Sequence, residues 1–436
     1  MPKKAPLYLL LSSICTLSML VCSGCATYKP DPPDFFANTA RWREMSLNLA
    51  PAGKLTSLTW EKLSIYGLFI NPDLNKARLK LLTSKHAEKY AGLWDDPSLE
   101  LNAKRYLSGV QYDRGAALEL SIPVSGRTKL ARRVAEMYSA ADLRALQALE
   151  CDYLMRLRAL CYVIQITHTK HELMAQRLKQ VEQEQANISR LHDLGEASAA
   201  ELHAATQRHS DLLKELQELE SAHLDKHLEL ISMLGLHPAV GDIEVAGKLP
   251  YGVPASVPLP TEASLLHHPK LLAAMSAYHT TEAELKLEIR KQYPDISLSP
   301  GYSHEEGNNK FALDFGFTLP LWNRNREAIA RAQGSRLMSR QSAIAQYREL
   351  VQQAHALFSR QELARKHCRA EFERLSALQS TAEQQEQLHA LGETSLPSLA
   401  ETRHESYTRR LAYLDCLSEL LEIQVALQYL SIYDPS

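Results

Sequence analysis

Two kinds of hydrophobic pattern alternate along the chain, and the same succession of patterns occurs twice. From residue 127 to 194 apolar side chains recur at spacings of three and four, as in Leu130, Val134, Met137 and Ala141, with neither Pro nor Gly. Residues 324–391 read the same way and contain only Gly334. This spacing predicts two amphipathic helices, each about 100 Å long at ~1.5 Å per residue. Helices of that length must lean on neighbours throughout, as in a coiled coil.

Ahead of each long helix the period changes from three-and-four to two. Leu99, Leu101 and Ala103 alternate with Ser98, Glu100, Asn102 and Lys104, and Leu118, Leu120 and Ile122 follow beyond a polar loop expected around Gln111–Gly115. In the second half Ile296 and Leu298 precede an expected loop over Ser303–Asn309, after which Leu313, Phe315, Phe317 and Leu319 alternate with polar or small residues. Period two places one apolar and one polar face on each strand, and the segments have the length that a tilted strand needs to cross a bilayer. Shorter helices are expected before each strand pair, one over roughly 72–93 and one that ends before Pro294. A return helix is expected over roughly 196–234. The two short helices of the first half, end to end, nearly equal the long one beside them.

The two halves share one register. Asn71-Pro72-Asp73-Leu74 matches His268-Pro269-Lys270-Leu271, and Pro97-Ser98-Leu99 matches Pro294-Asp295-Ile296. Ser121-Ile122-Pro123-Val124 matches Thr318-Leu319-Pro320-Leu321, and Leu191-His192-Asp193-Leu194-Gly195-Glu196-Ala197-Ser198 matches Leu388-His389-Ala390-Leu391-Gly392-Glu393-Thr394-Ser395. All four pairs lie 197 residues apart, so the chain reads as a duplication without net insertion. The expected organisation is a leader over 1–24, an N-terminal segment over 25–70, a first unit over 71–236, a Pro-rich linker over 237–262 and a second unit over 263–436. The segment after the leader reads equally as a tether or as a packed element.

Two strands per unit make four per chain, too few to close a membrane barrel, for which eight is the minimum. An open four-stranded sheet leaves edge N–H and C=O groups unsatisfied in lipid. The chain must then oligomerise; two, three or four copies would each supply an allowed even number of strands.

The N-terminus changes where this takes place. Lys3 and Lys4 precede an apolar run from Ala5 to Val21, a pattern of signal-peptide length. The run ends in Cys22-Ser23-Gly24-Cys25-Ala26, which resembles a bacterial lipobox, with Cys22 where that motif has Leu. The resemblance implies that Cys25 is acylated and becomes the first residue of the mature chain. Ala26, rather than Asp, after it implies delivery to the outer membrane. Loss of residues 1–24 removes two lysines and no acids, moving the formal charge from −2 to −4. That balance gives no reason to expect nucleic acid as a partner.

Cys25, Cys151, Cys161, Cys368 and Cys416 are widely spaced and suggest no disulfide framework or zinc knuckle. His223 and His227 stand at i and i+4 but lack an evident third ligand, so a surface pair is expected and no metal site. No Gly-rich phosphate loop, Gly-x-Ser-x-Gly or His-Glu-x-x-His is present, so neither an enzyme nor a cofactor is expected.

Taken in order, Gly24-Cys25-Ala26-Thr27-Tyr28-Lys29-Pro30, Asn71-Pro72-Asp73-Leu74, Leu-Pro-Leu-Trp-Asn-Arg-Asn-Arg at 319–326 and Leu391-Gly392-Glu393-Thr394-Ser395 resemble the TolC-like outer-membrane efflux factors over essentially the whole mature chain. The 319–326 stretch looks most like the branch associated with heavy-metal cation efflux. The resemblance implies a mainly α fold with a small β part. It implies a homotrimer, with a twelve-stranded barrel in the outer membrane and a periplasmic α-helical cylinder. Such a duct passively carries substrates, metal cations or drugs, from an inner-membrane pump through a periplasmic adaptor.

On the same resemblance Leu194, Gly195, Glu196 and Ser198, with Leu391, Gly392, Glu393 and Ser395, form tips that meet the adaptor. Glu401 falls where an acid narrows the tunnel mouth, Ser398 falls where a second acid is expected, and Glu201 is the counterpart past the first tip. The rival reading is a non-channel coiled-coil lipoprotein, a scaffold or the adaptor itself. An adaptor would carry one long hairpin between lipoyl-like halves, whereas this chain reads as two.

Overall fold

The computed structural model describes residues 28–49, 55–105, 112–241, 243–305 and 307–431. The N-terminal part holds α1 (Phe35–Leu49), β1 (Leu55–Thr59) and α2 (Trp60–Ile70). Then follow α3 (Pro72–Tyr90), β2 (Ser98–Arg105), β3 (Tyr112–Ile122), α4 (Arg127–Asp193) and α5 (Ala199–Leu234). After a short 3₁₀ turn, β4 (Ile243–Ala246) and α6 (Glu262–Leu266) lead into α7 (Pro269–Arg290), β5 (Ile296–Glu305), β6 (Asn308–Phe317), α8 (Arg326–Ala390) and α9 (Leu396–Ser431).

Local chemistry sets these boundaries. Asn71 caps α3: its Oδ1 accepts from the backbone N–H of Asp73 and Leu74, and Pro72 occupies the first turn, where no N–H is needed. Gly92, in a left-handed conformation (φ 70°), follows the end of α3, which therefore stops at Tyr90 rather than near 93. The end of α5 and the start of α3 meet. Gly235 takes φ 71°, and a Cβ there would lie 3.0 Å from Cδ of Pro72, while Asn71 Nδ2 donates to Met233 O at 2.8 Å. The short helices thus stack end to end beside α4, which packs against both.

Helix α4 also packs against α7 and α9, and α8 packs against α7 and α9. One core gathers Leu157, Leu160 and Cys161 of α4 with Leu230 and Leu234 of α5, Leu63 of α2 and Ile243 of β4. A second gathers Ile166 of α4, Cys368 and Leu375 of α8, and Leu414, Leu417 and Leu420 of α9. Cys161 is a packed thiol, and burial pushes its pKa up to about 12.

The N-terminal segment is packed rather than a free tether over its described residues. β1 pairs in parallel with β4, Trp42 Nε1 donates to Gly235 O at 2.8 Å, and the His237 N–H donates to Ser46 Oγ at 3.0 Å. The Pro-rich linker is strapped to the second helix pair. Fully buried Gln361 of α8 accepts from Val257 N and donates to Val257 O, both at 2.9 Å. Gln424 of α9 donates to Ala255 O, and Tyr413 of α9 to Gly252 O.

The stretches expected as polar loops are largely strand. Tyr112–Gly115 belongs to β3, and the stretch expected as a loop over 303–309 is mostly strand, with Glu305 opposite Asn308. Gly307 (φ 81°) allows the tight reversal. A His304–Asn309 side-chain hydrogen bond at 2.8 Å and a Lys310–Glu305 ion pair at 2.9 Å hold the polar ends in register.

Candidate functional site

The candidate site has two parts, a sheet at one end of the helices and helical turns at the other. The four-stranded antiparallel sheet runs in the order β2-β3-β5-β6, so the two hairpins are joined through β3 and β5, and β2 and β6 form its open edges. Register then decides which residues share a face. One row crosses Leu101, Ala116, Tyr302 and Phe311, a second Leu120, Leu298 and Phe315, and a third Ile122, Ile296 and Phe317. All lie on one face, because side chains alternate with period two and partners across a ladder point the same way.

The opposite face carries Glu100-Ala117-Gly301-Ala312, Asn102-Gly115-Ser303-Lys310 and Ser121-Ser297-Gly316, with Glu119 beside Ser98 and Asp314 beside Ser299. The apolar face has no covering layer in the single chain: Phe311 is 75 % exposed and Phe315 is 71 % exposed. No described helix is long and apolar enough to cross a membrane.

At the far end, α4 and α8 close with the same turn. Gly195 (φ 80°) and Gly392 (φ 76°) end them in Schellman geometry. Glu196 N donates to Leu191 O at 2.8 Å, and Glu393 N to Leu388 O at 2.9 Å. In both turns a histidine closes the loop: His192 Nδ1 donates to Ala197 O at 2.9 Å and His389 Nδ1 to Thr394 O at 2.8 Å. That bond requires the proton on Nδ1, since a carbonyl only accepts. The turns leave Leu194 and Leu391 each 73 % exposed, with Glu196 and Glu393 exposed beside them.

The return helices start differently. Ser198 and Glu201 make a reciprocal capping box, with Glu201 Oε2 accepting from Ser198 N at 2.7 Å. Those hydrogen bonds hold the Glu201 carboxyl below its ordinary pKa. Glu201 is therefore engaged at its own helix start. Ser395 accepts the Leu399 N–H through its backbone carbonyl, and Ser398 and Glu401 are exposed on the first turns of α9.

A polar cluster absent from the sequence reading lies directly behind these residues. Arg177 and Glu184 of α4 are both buried and pair at 3.2 Å. Arg177 Nη2 reaches the Ala400 carbonyl at 3.4 Å, and Arg403 of α9 approaches Glu184 at 3.8 Å and Glu386 of α8 at 2.9 Å. Arg177 and Glu184 sit seven residues apart in a helix rich in charge, and no spacing signal sets them apart from solvent-facing pairs.

His223 and His227 stack edge-on at 4.3 Å between ring centroids, with His168 of α4 6.3 Å from His223. Among the described residues no group of three or more His, Cys, Asp or Glu has geometry able to hold a metal ion. Cys25 lies outside the described residues.

Residues 261–431 match the family model described as outer membrane efflux protein. No curated protein matches the chain in sequence. Among solved structures, a membrane protein from Pseudomonas aeruginosa superposes with a TM-score of 0.72 at 16 % identity, over 93 % of this chain and 96 % of that one. The Campylobacter jejuni CmeC outer membrane channel gives 0.71 at 12 % identity, over 85 % of each chain. CusC, whose crystal structures concern folding and transmembrane channel formation, gives 0.69 at 16 % identity, over 86 % of this chain and 93 % of its own. At these identities the likeness establishes the fold.

Proposed function

We propose that the chain is a subunit of a passive exit duct of the TolC-like outer membrane efflux type, a reading supported by the family match over residues 261–431 and by the fold it shares along its length with solved channel structures. The observation that carries this reading is the sheet: an apolar face in register across all four strands, backed by a small and polar one, with both edges open. Such a sheet suits lipid on one side and water on the other only when its edges are paired. Three copies of the duplicated chain would close a twelve-stranded barrel, and their long helices would continue it as a periplasmic tunnel.

In this reading acylated Cys25 anchors the chain to the outer membrane. The turns at Leu194, Gly195, Glu196 and Ser198, and at Leu391, Gly392, Glu393 and Ser395, meet a periplasmic adaptor that connects to an inner-membrane pump. Glu401 and Ser398, with Glu201 at the other hairpin, line the tunnel mouth. The cargo is a metal cation or a drug, chosen by the pump. The matched geometry of the two turns supports one docking role for both.

Native mass of the detergent-extracted chain tests this. A heat-modifiable trimer that conducts ions in planar bilayers is expected. A water-soluble monomer would defeat the duct and favour the coiled-coil scaffold or adaptor.

A further inference from the structure

Where the sheet meets the helices, a groove of about 580 Å³ opens on the apolar face. Its floor is Val124, Ile296, Phe315 and Phe317, and Arg290 and Tyr293 form its helix-side rim. We propose that this groove binds a phospholipid of the inner, periplasm-facing leaflet, with the phosphate on Arg290 and an acyl chain across Ile296, Phe315 and Phe317. The inference rests on the membrane orientation proposed above.

Three observations point to that occupant. First, Arg290 is a cation without a carboxylate partner among the described residues, whereas its neighbours are neutralised. Lys291 pairs with Glu288 at 2.6 Å, and Arg127 pairs with Asp95 and Asp295 at 2.7 Å each. Its guanidinium instead lies 5.8 Å from the Tyr293 ring centroid, exposed at the groove's edge. An arginine with free donors matches phosphate oxygens in geometry as well as in charge.

Second, the floor is wholly apolar on the side that would face lipid, while the polar edge lies only at the helix end. That gradient is the one an amphiphile carries along its own length. Third, exposed Tyr90, Trp94 and Trp322 stand at the same end of the sheet, just before β2 and just after β6. Tyr and Trp collect at the headgroup level of a bilayer, where their rings are half in hydrocarbon and half in water. A second copy would join the sheet through the edges of β2 and β6, in the plane of the strands. The floor side chains Ile296, Phe315 and Phe317 stand on the face of the sheet, perpendicular to that plane.

The test uses full-length protein extracted in detergent, stripped of lipid and titrated with phosphatidylglycerol. Diacylglycerol of the same chains, which lacks phosphate, and inorganic phosphate alone serve as comparison probes. Native mass spectrometry is expected to show one phosphatidylglycerol held per chain, with retention at least fivefold lower in Arg290→Gln and in Phe317→Ser. Arg374→Gln, towards the opposite end of α8, should retain lipid as the wild type does. Phosphate alone and diacylglycerol should each bind at least fivefold more weakly. Undiminished retention by Arg290→Gln, or diacylglycerol held as well as phosphatidylglycerol, overturns the lipid site. If Arg290→Gln still inserts into vesicles, that failure leaves the duct reading standing; a wild-type chain that does not insert overturns both.

Discussion

Arg177 and Glu184 stand two turns apart on α4 and close a buried ion pair at 3.2 Å, with their side chains only 3 % and 6 % exposed. Around them, Ala400 offers its carbonyl and Arg403 adds a second cation, so α9 is fastened to α4 where its first turns begin. Removing one partner of such a pair leaves the other charge buried and uncompensated, which costs about 3–5 kcal/mol. Glu184→Ala is expected to lower stability by that amount in denaturant titrations of the detergent-solubilised chain. Glu386, half-exposed, also pairs with Arg403, and its removal should cost less than about 1 kcal/mol. Equal effects of the two substitutions would show that burial does not set the strength of this cluster.

The two turn glycines and Gly334, inside α8, should respond oppositely to alanine. A Cβ at Gly195, Gly392 or Gly334 would meet nothing within 4 Å, so packing does not enter within the chain. Gly195 and Gly392 require positive φ, a conformation that costs an L-residue about 1–2 kcal/mol. Gly334 lies inside α8, where alanine is favoured by ~0.8–1 kcal/mol. Gly392→Ala should therefore speed amide exchange at Glu393, and Gly334→Ala should raise the unfolding midpoint. A fall in that midpoint would reveal a close contact at Gly334 from another copy.

His268 makes stability depend on pH. Burial, reinforced by Lys270, lowers its pKa to about 4 from an ordinary value of 6.5, and its Nδ1 accepts the Lys270 N–H as the cap of α7. The unfolded chain then binds more protons than the folded one between those values. This contribution to stability is complete above pH 6.5 and is lost as pH falls towards 4. Asn71 caps the corresponding helix of the first half with an amide that does not titrate. His268→Asn should keep the cap and flatten the stability profile between pH 6.5 and 4. An unchanged slope in that window would assign it to other groups.

On the sheet, the two faces should tolerate charge differently. Leu313 lies on the apolar face of β6, and Asp314 lies on the other. Leu313→Arg places a charge towards hydrocarbon, at about 2–4 kcal/mol near the bilayer midplane, and should sharply reduce insertion into vesicles. Asp314→Asn should insert normally and lower the preference for cations in bilayer recordings. Equal insertion of both variants would count against a lipid-facing side.

Glu401 is exposed on the second turn of α9. Symmetry copies around the proposed mouth would gather like charges and attract cations. Glu401→Ala should reduce cation selectivity and block by divalent ions in single-channel recordings. Unchanged selectivity and block would remove Glu401 from the conduction path.

Much of this architecture was legible in the pattern of residues alone, wherever the deciding interactions are local. The three-and-four spacing of Leu130, Val134 and Met137 marked α4, the alternation of Leu313, Phe315 and Phe317 marked β6, and the paired Leu-Gly-Glu turns at 194–196 and 391–393 marked both helix ends. Each rests on residues within one or two turns of each other, so the sequence by itself determined that these segments are helix or strand and which of their side chains share a face. Tertiary structure decided what those faces meet. The pairing of Ile122 with Ile296, the strap of Gln361 on Val257 and the burial of Arg177 with Glu184 depend on elements far apart in the chain. No local period records such partners, because a side chain's cost or gain on burial is set by whatever packs over it.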